Sequence, residues 1–323
     1  MLSPDIQKSL LKNMLLIRFS EDAIADHYKE WEMRCPVHLC IGQEAAEVGA
    51  TLALKSSDKT ISGHRSHGHY LGKGGDLKKM IAEIYGKATG CAGGKGGSMH
   101  LIDLEAGFLG AAPIVGSTIP IGVGAAFKSK LSGEDDVTMV FFGDGACEAG
   151  VFHESLNFAK LKNLPVVFVC ENNLYSVYSP MEVRQSADRT ITDIVKGHGI
   201  EAHQLDGNDV ELVYSQTLDA VAKARAGQGP VFLELMTYRW REHCGPNFDN
   251  HIGYRTEEEY QDWLVRDPVA LYKKHLVETD VLSVDEITQM ESEIKAGVAE
   301  AILFAKQSDF PAPETACGPV YKG

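Results

Sequence analysis

Two short segments carry the residues best suited to chemistry. Gly143-Asp144-Gly145 stands directly after the apolar run Val137–Phe142, and Asn172-Asn173 follows the next such run, Pro165–Cys170. Twenty-six residues lie between Gly145 and Asn172. A crossover between parallel strands needs a dozen or more residues. Both segments can therefore lie at the carboxyl ends of neighbouring parallel strands, where open α/β sheets bind ligands. A hard cation such as Mg²⁺ takes oxygen ligands in octahedral geometry, partly from protein and partly from phosphate. Asp144 offers a carboxylate, Asn173 an amide oxygen, and the main-chain carbonyl of Tyr175 a third ligand. Gly143 and Gly145 let backbone approach phosphate oxygens, and the segment starting at Ala146 offers free N–H groups. Either segment alone reads equally well as a turn or a loop. The pair, at two strand ends with this spacing, is far more specific.

The elements around these segments must form a parallel sheet. Phe152, Leu156 and Ala159 mark a helix between the two apolar runs. Val213, Thr217, Ala220 and Ala224 mark another, and Val231–Leu235 follows as a strand. Strands alternating with helices imply βαβ units. Helical apolar spacing over 4–30, at Leu11, Leu15 and Phe19, predicts an N-terminal helix, and 38–54 predicts a second. Residues 264–323 read as helices and then an irregular Pro-containing tail. No linker divides the chain, so the expectation is one α/β domain over 1–323 with helical extensions. Glycine is dense over 90–124, which marks turns or close approach of backbone to a ligand.

Composition narrows the function classes. The chain has 323 residues, 44% hydrophobic and 24% charged, with a net charge of −14. That balance argues against a nucleic-acid or anionic-membrane surface. The seven cysteines are scattered and contain no CxxC pair, so neither a zinc site nor a disulfide framework is expected. They read as reduced thiols of a cytoplasmic protein. The N-terminus lacks a cleavable apolar core, and no apolar run approaches the ~20 residues needed to span a bilayer. A dinucleotide site is disfavoured, because Gly122-x-Gly124 lacks the third glycine and the later acidic residue of that fingerprint.

Taken together, GDG and NN form the thiamin diphosphate motif, and the wider sequence resembles one family. The stretches that carry the likeness are HLCIGQEA (38–45), HRSHG (64–68), GGKGGSMH (93–100), IVG (114–116), GDGACEAGVFHESLNFAKLKNLPVVFVCENN (143–173), LELMTYR (233–239) and GYRTEEE (253–259). They resemble the α subunits of the decarboxylating component of pyruvate, branched-chain 2-oxo acid and acetoin dehydrogenases. The resemblance runs in consistent order over roughly residues 6–310.

It implies a thiamin-diphosphate-binding fold, with a mostly parallel sheet and helices on both faces. It also implies thiamin diphosphate and Mg²⁺ as cofactors. By the same resemblance, His64, Arg65, Gly143, Asp144, Gly145, Ala146, Asn173 and His243 hold the cofactor, and Val115 props its bent conformation. Asp144, Asn173 and Tyr175 hold the metal, and His100 and His243 stand near the reacting carbons. His64, Pro113 and Arg241 depart from what relatives carry at those positions. The glutamate that activates the pyrimidine has no evident counterpart, since Glu148 and Glu171 look misplaced for it. The resemblance places that glutamate on a β subunit, in an α₂β₂ heterotetramer that passes an acyl or hydroxyalkyl group to a lipoyl acyltransferase. A thiamin-dependent carboligase acting in biosynthesis is the alternative kept open by the three departures. A non-catalytic scaffold is disfavoured by the intact Arg65, Asp144 and Asn173.

Overall fold

A computed structural model of the chain describes residues 2–317. The three long apolar runs form strands whose bounds differ from the sequence expectation by at most two residues: β3 (Thr138–Gly143), β4 (Val166–Asn172) and β8 (Val231–Met236). With β1 (Lys59–Ser62), β2 (Phe108–Ala111) and β7 (Glu201–Asp206) they make a six-stranded sheet ordered β2-β1-β3-β4-β8-β7, parallel throughout. A small antiparallel hairpin, β5 (Tyr175–Ser176) and β6 (Ser179–Pro180), follows β4.

Parallel strands are covered on both faces, which is why these runs are continuously apolar. Alternate residues serve opposite layers. Val140, Phe142, Phe168, Cys170 and Phe232 pack in one cluster with α5 (Thr118–Leu131), α6 (Gly150–Lys162) and α7 (Ile191–Gly197). Met139, Phe141, Val167, Val169, Leu233 and Leu235 pack in the other with α2 (Glu44–Leu52) and α8 (Val210–Arg225). Phe152, Leu156 and Ala159 of α6 and Val213, Thr217, Ala220 and Ala224 of α8 are all buried, as their spacing predicts. A third core joins α1 (Pro4–His27), α3 (His67–Gly72), α4 (Leu77–Ile84), α9 (Glu257–Leu264), α10 (Pro268–Glu278) and α11 (Val284–Gln307). The expected helical extensions are present, α1 running on through a 3₁₀ turn to Glu30. Residues 318–323 of the expected tail lie outside the described residues.

The expected helix over 38–54 is corrected: it begins only at Glu44. Gly42 has φ +102°, and a side chain there would meet the Tyr238 carbonyl and the Trp240 ring. The backbone before it finds its partners in tertiary structure. The Cys40 N–H donates to Glu21 at 2.5 Å, and the Trp240 N–H donates to the Ile41 carbonyl at 3.0 Å. With those groups already satisfied, helical pairing is not required of His38–Gln43.

Cys35, Cys40, Cys91, Cys147, Cys170 and Cys244 are free thiols. Among the described residues no helix is long and apolar enough to cross a membrane.

Candidate active site

From β1 the chain moves outward to β2, then crosses back through α5 to β3 on the other side of β1. The sheet therefore changes winding direction at β1 and β3, the place where open α/β sheets leave a ligand crevice. At these carboxyl ends lie Gly63-His64-Arg65 after β1, Asp144 after β3 and Asn173 after β4. They line one cleft with His38, Gln43, Pro113, Val115, Gly145, Ala146, Tyr175 and His243. Ten of the eleven residues that the sequence assigns to cofactor, metal or catalysis thus share one site: His64, Arg65, Val115, Gly143, Asp144, Gly145, Ala146, Asn173, Tyr175 and His243.

His100 is the exception. It is exposed, its Nδ1 lies 2.8 Å from the Gly96 carbonyl, and the neighbouring Met99 lines the cleft instead. Arg241 also faces elsewhere. It bonds to the Pro246 carbonyl at 3.0 Å, approaches Asp22 at 3.6 Å and covers the Phe248 ring at 4.1 Å. Of the three departures, only His64 and Pro113 reach the cleft.

Arg65 is buried with carbonyl partners alone among the described residues: Leu39 O on Nη1 and, at 3.1 Å, His243 O on Nη2. Burial, and then the nearby Arg239 charge, push its pKa down to about 10. A buried guanidinium without an anion is costly, and its planar fork matches phosphate. Asp144 is buried too. Burial raises its pKa, against the opposing pull of Arg184, whose guanidinium pairs with both Asp144 and Glu148. Asn173 donates from Nδ2 to Gln43 Oε1 at 2.9 Å, and its Oδ1 accepts from the Tyr175 N–H at 3.4 Å.

The backbone here is strained. Leu174 and Val177 have φ of +73° and +56°, a region costly for residues with side chains. The hairpin pairing and a bond from Arg239 to the Val177 carbonyl, 2.7 Å, hold it. Gly145 is needed for the approach of this hairpin, since a Cβ there would lie 2.5 Å from Ser176 Oγ.

Three imidazoles crowd the cleft beside Arg65. The ring centroids of His38, His64 and His243 lie 4.7, 5.0 and 5.5 Å apart. Burial first, and the Arg65 charge second, lower their pKa values to about 2, 4 and 3 respectively, so all three are neutral near pH 7. Beneath them Ser62 Oγ meets His69 Nδ1 at 2.9 Å, and His69 Nε2 meets Glu171 at 3.0 Å. Glu171 therefore lines the cleft but is engaged by His69.

His38 and Gln43 were not among the sequence candidates. Both belong to HLCIGQEA, where a helical reading of 38–54 hid a loop that faces the cleft.

The residues present fit thiamin diphosphate. Arg65 lacks a negative partner, the Gln43 Nε2 atom is buried without a hydrogen bond among the described residues, and Gly143–Ala146 lines the cleft. Such a cleft at such a switch point suits the cofactor site of a thiamin-dependent enzyme.

Comparison with known proteins agrees. Residues 12–314 match the family model for the dehydrogenase E1 component. The chain is 39% identical to the α subunit of acetoin:2,6-dichlorophenolindophenol oxidoreductase of Bacillus subtilis, over 94% of this chain and 89% of the relative. It is 38% identical to the pyruvate dehydrogenase E1 component α subunit of Rhizobium meliloti, over 94% and 86%. It is 39% identical to the chloroplastic pyruvate dehydrogenase E1 α-3 subunit of Arabidopsis thaliana, over 94% and 71%. The chain belongs to the dehydrogenase E1 component family, as an α subunit of the thiamin-diphosphate-dependent 2-oxo acid dehydrogenase type.

Proposed function

We propose that this chain holds the diphosphate and a Mg²⁺ ion in an α₂β₂ enzyme that decarboxylates a small 2-oxo acid such as pyruvate, or cleaves acetoin. The acyl or hydroxyalkyl group then passes to the lipoyl domain of an acyltransferase. The observation that carries this reading is the convergence of Arg65, Asp144 and Asn173 on one cleft at the winding switch of the sheet. The relatives named for pyruvate and acetoin support the substrate class. The free thiols of the described cysteines suit a reducing cytoplasm.

Thiamin diphosphate supplies the nucleophilic carbon and the electron sink for cleavage beside a carbonyl. This chain's residues hold and shield it. Arg65 gives a forked donor to the diphosphate, and Gln43 Nε2 a neutral one. Asp144, the Asn173 amide oxygen and the Tyr175 carbonyl give the oxygen donors that Mg²⁺ requires. Val115, 54% exposed in the cleft lining, would offer apolar bulk to the cofactor, and its neighbour Ile114 is 69% exposed. That rim suits coverage by a β subunit, which would also exclude water. His243, neutral and with a ring free to bond, can hold or pass a proton at the substrate oxygen.

The test is steady-state decarboxylation by the chain alone and after reconstitution with its β subunit, with excess cofactor and Mg²⁺. Turnover is expected only in the reconstituted sample, because misplacement near 1 Å already costs ~10²-fold. Substantial turnover by the chain alone would refute the shared site.

A further inference from the structure

We propose that His38, His64 and His243 form a site for a divalent transition-metal ion of the Zn²⁺ or Co²⁺ class, separate from the oxygen donors around Asp144. One ligating nitrogen from each ring lies within 4.8 Å of the other two. Tetrahedral coordination at Zn–N distances of ~2.0–2.1 Å brings such nitrogens to about 3.4 Å from one another. Small ring rotations close that gap, and the His64 and His243 rings are only partly buried, so they have room to turn. The three rings come from three separate segments, and their backbones are tied together. Arg65, next to His64, bonds to the carbonyls of Leu39, next to His38, and of His243 itself.

No ring nitrogen of the three has a hydrogen-bond partner among the described residues. His38 is 7% exposed, and its Nδ1 is fully buried and unpaired. Buried polar atoms without partners are rare and ask for a ligand. Imidazole suits Zn²⁺, Co²⁺ and Ni²⁺, whereas Mg²⁺ prefers oxygen, so the two sites sort their ions. Arg65 disfavours a bare dication, and the fourth position, open to the cleft, takes an anion such as hydroxide. An ion held there occupies the His243 ring and the space beside Arg65, so it would inhibit the site described above. The inference stands on the histidine geometry and does not depend on the thiamin reading.

The experiment is a Co²⁺ titration of the full chain, alone and assembled with its β subunit, in excess Mg²⁺ and without thiamin diphosphate. Uptake is followed by calorimetry and by the visible absorption of the ion. We expect one Co²⁺ per chain, intense absorption of tetrahedral type, and displacement by Zn²⁺. His64→Phe should weaken binding by ~100-fold or more, since loss of even an outer-shell partner costs 10–100-fold. His64→Gln provides the same comparison if the Phe variant folds poorly, and Asp144→Ala should still take up Co²⁺. Absence of uptake, equal affinity in the His64 variants, or loss of uptake in Asp144→Ala would overturn the proposal. None of these readouts requires turnover, so failure of the thiamin reading would leave them unchanged.

Discussion

The Asn173 side chain donates from Nδ2 to Gln43 Oε1 at 2.9 Å, tying the carboxyl end of β4 to the loop before α2. The bond fixes which way the amide points and leaves its oxygen, which accepts from the Tyr175 N–H at 3.4 Å, as the atom offered to the proposed metal. Gln43→Leu keeps the volume but removes the acceptor. We expect thiamin diphosphate affinity in the presence of Mg²⁺ to fall 10–100-fold, the usual cost of losing an orienting partner. Calorimetry on the assembled enzyme measures it. Unchanged affinity would show that the Asn173 amide is oriented by something else.

Asp144 is the charged ligand of the proposed metal site, and Asp144→Ala should abolish metal-dependent cofactor binding. The variant also leaves Arg184 with Glu148 as its remaining acidic partner. A cofactor titration with and without Mg²⁺ separates the two effects. Retention of a Mg²⁺-dependent increment in affinity would remove Asp144 from the ligand set.

His243→Ala should spare cofactor binding, because the contact with Arg65 runs through the His243 main-chain carbonyl and survives the truncation. Turnover should fall by ~10²–10⁴-fold, the range for loss of one acid–base group. Normal turnover would transfer that role to His38, which shares the cleft, or to His100 at a greater remove.

Glu47 gives a pH dependence of stability. It is fully buried, and burial first, then the Glu171 and Glu21 charges, raise its pKa well above the ordinary carboxylate value. A raised folded-state pKa means that the unfolded chain loses this proton first. The stability it contributes is therefore complete below about pH 4.3 and is lost as pH rises toward the folded value. Glu47→Gln removes the titration. Relative to wild type, the variant should gain stability as pH rises from about 5 to 8. Denaturant unfolding at several pH values tests the sign, and a difference that is flat or shrinks with pH would contradict it.

The sequence by itself determined three strands of the sheet, β3, β4 and β8, and ten residues of the candidate cleft. β3, β4 and β8 are buried on both faces, so they must be continuously apolar, and such runs are visible without a structure. Asp144 and Asn173 follow from them, because a motif placed after such a strand has only one end of the sheet to occupy. The short strands β1 (KTIS), β2 (FLGA) and β7 (EAHQLD) were not legible. β1 has four residues, three of them polar, and β2 and β7 lie at sheet edges where burial on both faces is not imposed. Only the tertiary structure decided that His38–Gln43 is a loop. Local helical preference there loses to hydrogen bonds with Glu21 and Trp240, far away in the chain. The same long-range packing gathers His38, His64 and His243 around Arg65, while it leaves His100 outside the cleft lining and turns Arg241 toward Asp22. Spacing along a chain encodes the period of an element and the end of a strand. It does not encode which loops from separate strands meet, because that depends on how the layers pack.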